Sequence, residues 1–500
     1  MLLSVLFFLL FGSTTISSAR ILGIVPTPSY SHQIVFRPLW KELSLRGHQV
    51  TSITTDPMKD KSLTNLTEID LHFSYKTWNE KINMVKMAKL NVIGFLNYVV
   101  EVGGYFSNEQ LQDPEVQRSL NNDSENYDLV LMESFFPTMA MFAKKFKCPL
   151  IQILSLDGSS YMYHSIGNPA HPVLNPDFLL NFNEKLTFFE RSISTFTLLF
   201  LDYYHYPNIV RTHQLLVNKY FGNKYPSLVK TLKRASMMFV NSDIIFHRVR
   251  PVLPNVIQFG GGVHFATPKP LAKDLKELLD KSTNGFIYFS LGNNVKGELL
   301  AEHTRRVFLE TFAELPYTVL WKFEQDVLPE KPVNIIMSKW FPQQDVFRHP
   351  NIKLVITQGG LQSIEEAIYN HIPIIGMPFI ADQQANIQNI VDRGLGLSVD
   401  FNTIDKKTFK KIILEVINNP TYRNKVKELE ELLKDQPMTG IKRAAWWAKY
   451  VIRHKGATHL KSAVLDLPDY QSYLLDVISF CVLVVLAVGY VLVKLGKLIY

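Results

Sequence analysis

The segment TQGGLQSIEEAIYNHIPIIGMPFIADQQ, residues 357–384, holds groups that could bind an anion and several hydroxyls in succession. Gly359-Gly360 separates an apolar run, Ile352 to Thr357, that reads as a buried strand, from Leu361 to Tyr369, where apolar residues at 361, 364 and 368 predict a helix. A Gly-Gly turn lets backbone approach a ligand, and the first N–H groups of the helix have no intrahelical partner. With the positive end of the helix dipole they favour an anion, and phosphate is the economical choice. The same pair also serves tight packing, so the pattern alone does not decide. Glu366 and the closing Asp382-Gln383 follow on the same strand–helix–strand unit, and what they bind depends on the frame that holds them.

That frame is legible as alternating strands and helices. RILGIV (20–25) is a short buried strand, followed by the loop PTPSYSH and an amphipathic segment to Arg46. Ser29 or Ser31 suits its N-cap, Gly47 its C-terminal cap, and a second strand runs from about Val50 to Thr54. YDLVLM (127–132) and PLIQIL (149–154) are further strands around a helix-like segment to Lys147. Aromatic-rich segments at about 80–110 and 155–225 break the pattern and read as insertions on a Rossmann-like frame. The Pro- and Gly-rich passage 250–270 reads as an interdomain connection. Alternation then restarts: GFIYFSLG, TVLWKF, NIIM, IKLVIT and IPIIGM are strands separated by helical lengths. The expectation is α/β, two doubly wound Rossmann-like domains (20–249 and 271–440) facing a cleft, with ligands outside the carboxyl ends of the strands. A chain of 500 residues, 47% apolar, exceeds one core, in keeping with two domains.

The two ends carry their own signals. Leu2 to Phe11 is apolar and Ser17-Ser18-Ala19 follows, so residues 1–19 read as a secretory signal peptide. Val477 to Val493 holds no charge, with Tyr473 and Tyr490 placed for the interfaces, so 473–493 reads as a transmembrane helix. Residues 441–472 are then returning helices and a juxtamembrane segment, and 494–500, with Lys494 and Lys497, a cytosolic tail. Positive-inside logic puts the body across the membrane as a single-pass type I protein in the lumen of the endoplasmic reticulum. There Asn65-Leu-Thr and Asn122-Asp-Ser become N-glycan acceptors, and membrane lipid becomes a partner. Two cysteines, Cys148 and the membrane-run Cys481, make no disulfide framework. The net charge of +8 comes without any nucleic-acid-binding motif, so nucleic acid is not expected as a partner.

WFPQQDVFRHP (340–350), followed by the segment above through Asp382-Gln383, closely resembles the signature of the UDP-glycosyltransferase family, inverting two-domain enzymes of the GT-B fold. The likeness extends to FSLG (289–292), GGVH (261–264), the leader and the terminal anchor, and its style is that of membrane-bound animal members, insect ones in particular. It implies that Trp340 stacks on uracil, the Phe341 backbone pairs with the uracil edge, and Gln343 and Glu366 hold the ribose. A carboxylate suits two adjacent hydroxyl donors. Gly360, Ser363 and Asn293 would face the pyrophosphate, and Asp382 with Gln383 would bind the sugar hydroxyls. The resemblance also makes His32 the base that takes the acceptor's hydroxyl proton, with Glu133 orienting its imidazole. Four positions depart from the common pattern: Glu133 stands for aspartate, Gln358 for histidine, Asn293 for Ser or Thr, and Gln362 for Asn. Gln358 can still donate to a phosphate oxygen but adds no positive charge.

The function so implied is transfer of a hexose from a UDP-sugar, UDP-glucose first and UDP-glucuronic acid as the alternative, to a small lipophilic alcohol or phenol. Nothing in Asp382-Gln383 separates the two donors. No metal and no permanently bound cofactor is implied, because helix dipole and side-chain donors can hold a diphosphate. A catalytically silent lumenal lipophile-binding protein and a type I receptor or adhesion ectodomain stay open at this point, as does homo-oligomerisation.

Overall fold

The computed structural model describes residues 18–183 and 185–499. The leader expected over residues 1–19 lies outside them, save for its last two residues. Seven strands, β1 (Arg20–Val25), β2 (Gln49–Thr54), β3 (Leu66–Asp70), β4 (Leu129–Glu133), β5 (Leu150–Leu154), β6 (Met237–Val240) and β7 (Val256–Gln258), form one sheet in the order β3-β2-β1-β4-β5-β6-β7. Six more, β8 (Phe286–Ser290), β9 (Thr318–Lys322), β10 (Ile335–Ser338), β11 (Ile352–Thr357), β12 (Ile374–Gly376) and β13 (Gly396–Ser398), form a second in the order β10-β9-β8-β11-β12-β13. The strand pairings are parallel, as in Arg20 with Gln49 and Thr357 with Ser290.

Parallel strands are short apolar runs because both faces of the sheet are covered. Leu22 and Ile24 of β1 join one core cluster and Ile21 and Val25 the cluster on the other face. In β8, Ile287 and Phe289 likewise face one cluster while Phe286 and Tyr288 face another. Strand order reverses between β1 and β4 in the first sheet and between β8 and β11 in the second. At such a point the flanking helices diverge to opposite faces and leave a crevice at the carboxyl ends of the strands. His32 and Glu133 stand at the first crevice; Gly292 and Gln358–Gly360 stand at the second.

Four features differ from the sequence reading, the first being that β3, β6 and β13 were not read there as strands. Val256–Gln258, inside the passage read as a connection, is strand β7; three residues between Pro254 and Gly260 are too short to show a pattern. The segment after β4 is a 3-10 turn, Pro137–Ala140, and a short helix, Met141–Lys145. The aromatic insertions are ordered helices, among them Val92–Leu111 and Ser160–Ser165. Phe188–Phe200 and Tyr206–Phe221 join through a π turn, Leu201–His205. Pro207 has no N–H for the carbonyl of Tyr203 and its ring would press on it, which accounts for the wider turn there.

After the second sheet the chain crosses back. Helix Gly440–Arg453 buries Ala444, Ala445, Ala448 and Val451 against Phe36 and Leu39 of helix Tyr30–Leu45. Helix Leu475–Ile499 follows, and its stretch Leu475–Leu498, of mean hydropathy 2.6, is long and apolar enough to cross a membrane. Its apolar side chains are exposed.

Candidate active site

His32 is the third residue of helix Tyr30–Leu45, which starts directly beyond β1. Its Nδ1 lies 2.6 Å from Oε1 of Glu133, the last residue of β4. Glu133 is fully buried and the imidazole is 17% exposed, so one face of the pair is sealed and the other meets the cleft. The Thr27 hydroxyl donates to the second carboxylate oxygen. Ser155 Oγ, at the end of β5, is 2.7 Å from Nδ1 and 3.4 Å from Oε1. A carboxylate only accepts, so this set assigns the proton to Nδ1 and leaves the lone pair of Nε2 outward.

Beside the imidazole opens a cavity of about 240 Å³. Its walls are chiefly apolar and aromatic, with Trp78, Phe106, Phe135 and Ile209 among them, and the former insertions supply most of it. Ile380 and Ala381 close it from the other domain.

At the second crevice Gly359 has φ +93°, and a Cβ there would lie 2.7 Å from Ile387 Cγ1, so the turn requires glycine. Gly292 has φ +73° and a Cβ there would meet Gln358 Nε2 at 2.3 Å. Helix Leu361–Tyr369 begins at Gly360 with no side-chain cap and no acidic residue in its first turn, leaving its end open to an anion. Gln358 is buried beside it with Oε1 unpartnered, while Asn293 is exposed.

Glu366 takes more partners than the sequence suggested. Oε2 accepts from Gln343 at 2.6 Å, and Oε1 lies 2.9 Å from the amide of Gln344 and 3.0 Å from Nε2 of His264. His264 is wholly buried, and the two glutamates Glu366 and Glu365 raise its pKa against the opposing effect of burial. Gln343 also donates to Ser363. Trp340 is 54% exposed, its indole edge-on to Tyr30 of the first domain, and Phe341 is buried behind it.

Asp382, half-buried, accepts from Asn386 at 2.8 Å. Burial pushes its carboxyl up to about 6, against the pull of the Asn386 amide and of His32. Asn386 also donates to the Gly359 carbonyl, so it ties the glycine turn to Asp382. Gln383 spends its carbonyl on the backbone N–H groups of Phe379 and Ile380.

The crevices meet. Gln362 donates to the Ser155 carbonyl at 3.3 Å and Asn294 to the Ser29 hydroxyl at 3.0 Å. Sequence reasoning did not bring forward Thr27, Ser155, His264, Asn294, Gln344 or Asn386. Asn65 is half-buried next to β3, whereas Asn122 is exposed at a helix end. Among the described residues no group of three His, Cys, Asp or Glu side chains is placed to hold a metal ion. Both cysteines are free, and burial pushes the Cys148 thiol up to about 12.

Residues 20–500 match the family model described as UDP-glucoronosyl and UDP-glucosyl transferase. The chain belongs to the UDP-glycosyltransferase family. UDP-glucosyltransferase 2 of Dactylopius coccus is 35% identical over 471 residues, 93% of this chain and 90% of that one. Human UDP-glucuronosyltransferase 2B7 is 30% identical over 491 residues, 94% and 92% of the two chains. The crystal structure of the glycotransferase of kitacinnamycin superposes with a TM-score of 0.58 at 16% identity, covering 87% of this chain and all but 1% of that one. That likeness concerns the fold, which is GT-B. This UDP-glycosyltransferase is therefore an enzyme that takes a glycosyl group from a UDP-sugar.

Proposed function

We propose that the enzyme transfers a hexose, glucose in the first place, from its UDP-sugar to the hydroxyl of a small lipophilic alcohol or phenol, with inversion at the anomeric carbon. The observation that carries this reading is the His32–Glu133 pair, 2.6 Å apart, at the mouth of an apolar cavity and across the cleft from an uncapped helix end. His32 Nε2 takes the acceptor's hydroxyl proton as its oxygen bonds to the anomeric carbon. The imidazolium so formed is stabilised by Glu133. The bond from that carbon to the diphosphate breaks on the opposite face, and the electron pair leaves with UDP. The first N–H groups of helix Leu361–Tyr369, with Gln358, Gln362, Ser363 and Asn293, take up the charge of the departing diphosphate.

Trp340 stacks on uracil, the Phe341 backbone meets its edge, and Gln343 and Glu366 hold the ribose, with His264 and Gln344 fixing the carboxylate. Asp382 and Gln383 bind the sugar hydroxyls. Glucose is favoured over a uronate because the polar cavity beside Asp382 also holds Asp157 and Asp177. Its two arginines are already engaged, Arg250 with Asp157 and Arg248 with the Phe182 carbonyl. The name of the insect relative, a UDP-glucosyltransferase, points the same way. The apolar C-terminal helix supports single-pass anchorage in the endoplasmic reticulum membrane with a lumenal body glycosylated at Asn65 and Asn122.

A donor-by-acceptor panel on membranes carrying the full-length chain, read by mass spectrometry, tests the reading. UDP-glucose should give hexosylated phenols, with β-linked product from the α-linked donor. Uronate transfer alone would overturn the donor assignment, and retained configuration would overturn the mechanism.

A further inference from the structure

The apolar cavity beside His32 contains polar side chains as well, and most of them are engaged. The Thr27 hydroxyl is taken by Glu133, Ser134 by Gln152, Ser159 by Asp177, and His213 by Thr138 at 2.7 Å. Tyr98 donates to the Lys81 carbonyl and Ser165 to the Met162 carbonyl. Three residues stand apart: Tyr161, whose hydroxyl makes no hydrogen bond to a described residue, and two that are adjacent in the chain. His205 is 2% exposed, lines the cavity and makes no hydrogen bond to any described residue. Tyr206 lines it too, and its buried hydroxyl has no partner.

Their placement has a cause in the chain. Both sit where the π turn Leu201–His205 passes into helix Tyr206–Phe221, and a π turn rotates the side chains that follow it relative to a regular helix. The ring of Tyr161 steadies the two, edge-on to His205 at 5.4 Å and tilted to Tyr206 at 5.8 Å. Burial pushes the His205 imidazole down to about 4, so at neutral pH it offers one N–H and one lone pair. A neutral imidazole and a phenol hydroxyl side by side can donate to a carbonyl or exchange hydrogen bonds with a hydroxyl. A hydrocarbon leaves both unsatisfied.

We propose that His205 and Tyr206 form a second polar grip in the acceptor cavity, selecting lipophilic acceptors that carry, apart from the hydroxyl that reacts, a further hydrogen-bonding group such as a ketone or second hydroxyl. This rests on the reading of that cavity as the acceptor site. The grip acts in binding and not in the chemical step, because proton transfer belongs to His32 on helix Tyr30–Leu45 and the grip is carried by another element. A site built to hydrogen-bond a substrate group rejects the analogue that lacks it far more strongly than a purely apolar pocket does.

The test uses para-hexylphenol and the same phenol carrying a ketone one carbon from the end of its chain, whose reacting hydroxyls are alike in acidity. With full-length enzyme in membranes and UDP-glucose, the ketone is expected to have the lower KM in spite of its lower hydrophobicity. Tyr206→Phe and His205→Leu should each raise the ketone's KM by roughly 5–10-fold, leaving kcat and the KM of para-hexylphenol close to wild type. Binding of both phenols without donor, followed by quenching of tryptophan fluorescence with Trp78 in the cavity wall, separates the two levels of the argument. A ketone preference in binding that Tyr206→Phe abolishes supports the grip even if neither phenol is glycosylated, in which case the transferase reading of the cavity falls. Transfer to both phenols with no ketone preference, or variants that shift both KM values alike, overturns the grip.

Discussion

Asp382 is a cleft carboxylate whose charge responds to pH close to neutrality. Burial raises it from an ordinary 3.8 to about 6, so it holds its proton more tightly folded than unfolded. Its contribution to stability is therefore whole below 3.8 and is lost as the pH rises through about 6. Sugar binding runs the other way, because hydroxyl donors bind the ionised form better. Donor KM is expected to rise roughly threefold between about pH 7 and 5, and Asp382→Asn should show a high KM with no such slope. An unchanged slope in Asp382→Asn would remove Asp382 from the sugar site. The residues brought forward from the sequence lie at strand ends or on the loop and helix that follow, where a continuous apolar run announces its own terminus. His264, Gln344, Asn386, Asn294 and Ser155 were harder to see because each works through a contact the fold makes, such as the 102 positions between His264 and Glu366. A polar residue, in a loop or on a helix, carries no periodic signature of such a contact.

At the scale of elements, the turn from β11 into helix Leu361–Tyr369 is held by Gly359. Gly359→Ala would put a methyl group at φ +93°, 2.7 Å from Ile387 and 3.0 Å from the Gln383 carbonyl. The expected outcome is a loss of stability of about 1–3 kcal/mol together with at least a tenfold loss of UDP affinity, measured by denaturant unfolding and titration. Wild-type affinity in a folded Gly359→Ala would show that the turn does not shape the diphosphate site. Nine of the thirteen strands were readable because buried parallel strands are continuous apolar runs. β3, β6, β7 and β13 were not, β3 because it is half polar and the others because they are three or four residues long, and the π turn was marked in the sequence only by Pro207. The aromatic insertions gave no period because their apolar residues face an interior cavity from several helices at once.

For the molecule as a whole, the return of helix Gly440–Arg453 to the first domain makes the two halves one unit. Ala445 is fully buried there among Val451, Phe36 and Leu39. Ala445→Glu would bury an unpaired carboxylate at a cost of at least about 3 kcal/mol. A unit of this size should then melt at least roughly 3 °C lower by fluorescence-monitored unfolding. An unchanged Tm would mean the helix does not hold the first domain. The sequence placed returning helices at 441–472 but not the surface they return to, since an amphipathic helix names its buried face but not its partner. The cross-cleft contacts of Gln362 with Ser155 and of Asn294 with Ser29 bring the two crevices into one site. The claim that this site is a single catalytic centre is tested most directly by His32→Ala, assayed on one preparation for UDP binding, by tryptophan quenching, and for glycosyl transfer. UDP binding is predicted to stay at the wild-type level while transfer falls by a factor of at least about a hundred. Undiminished transfer in His32→Ala would contradict the account.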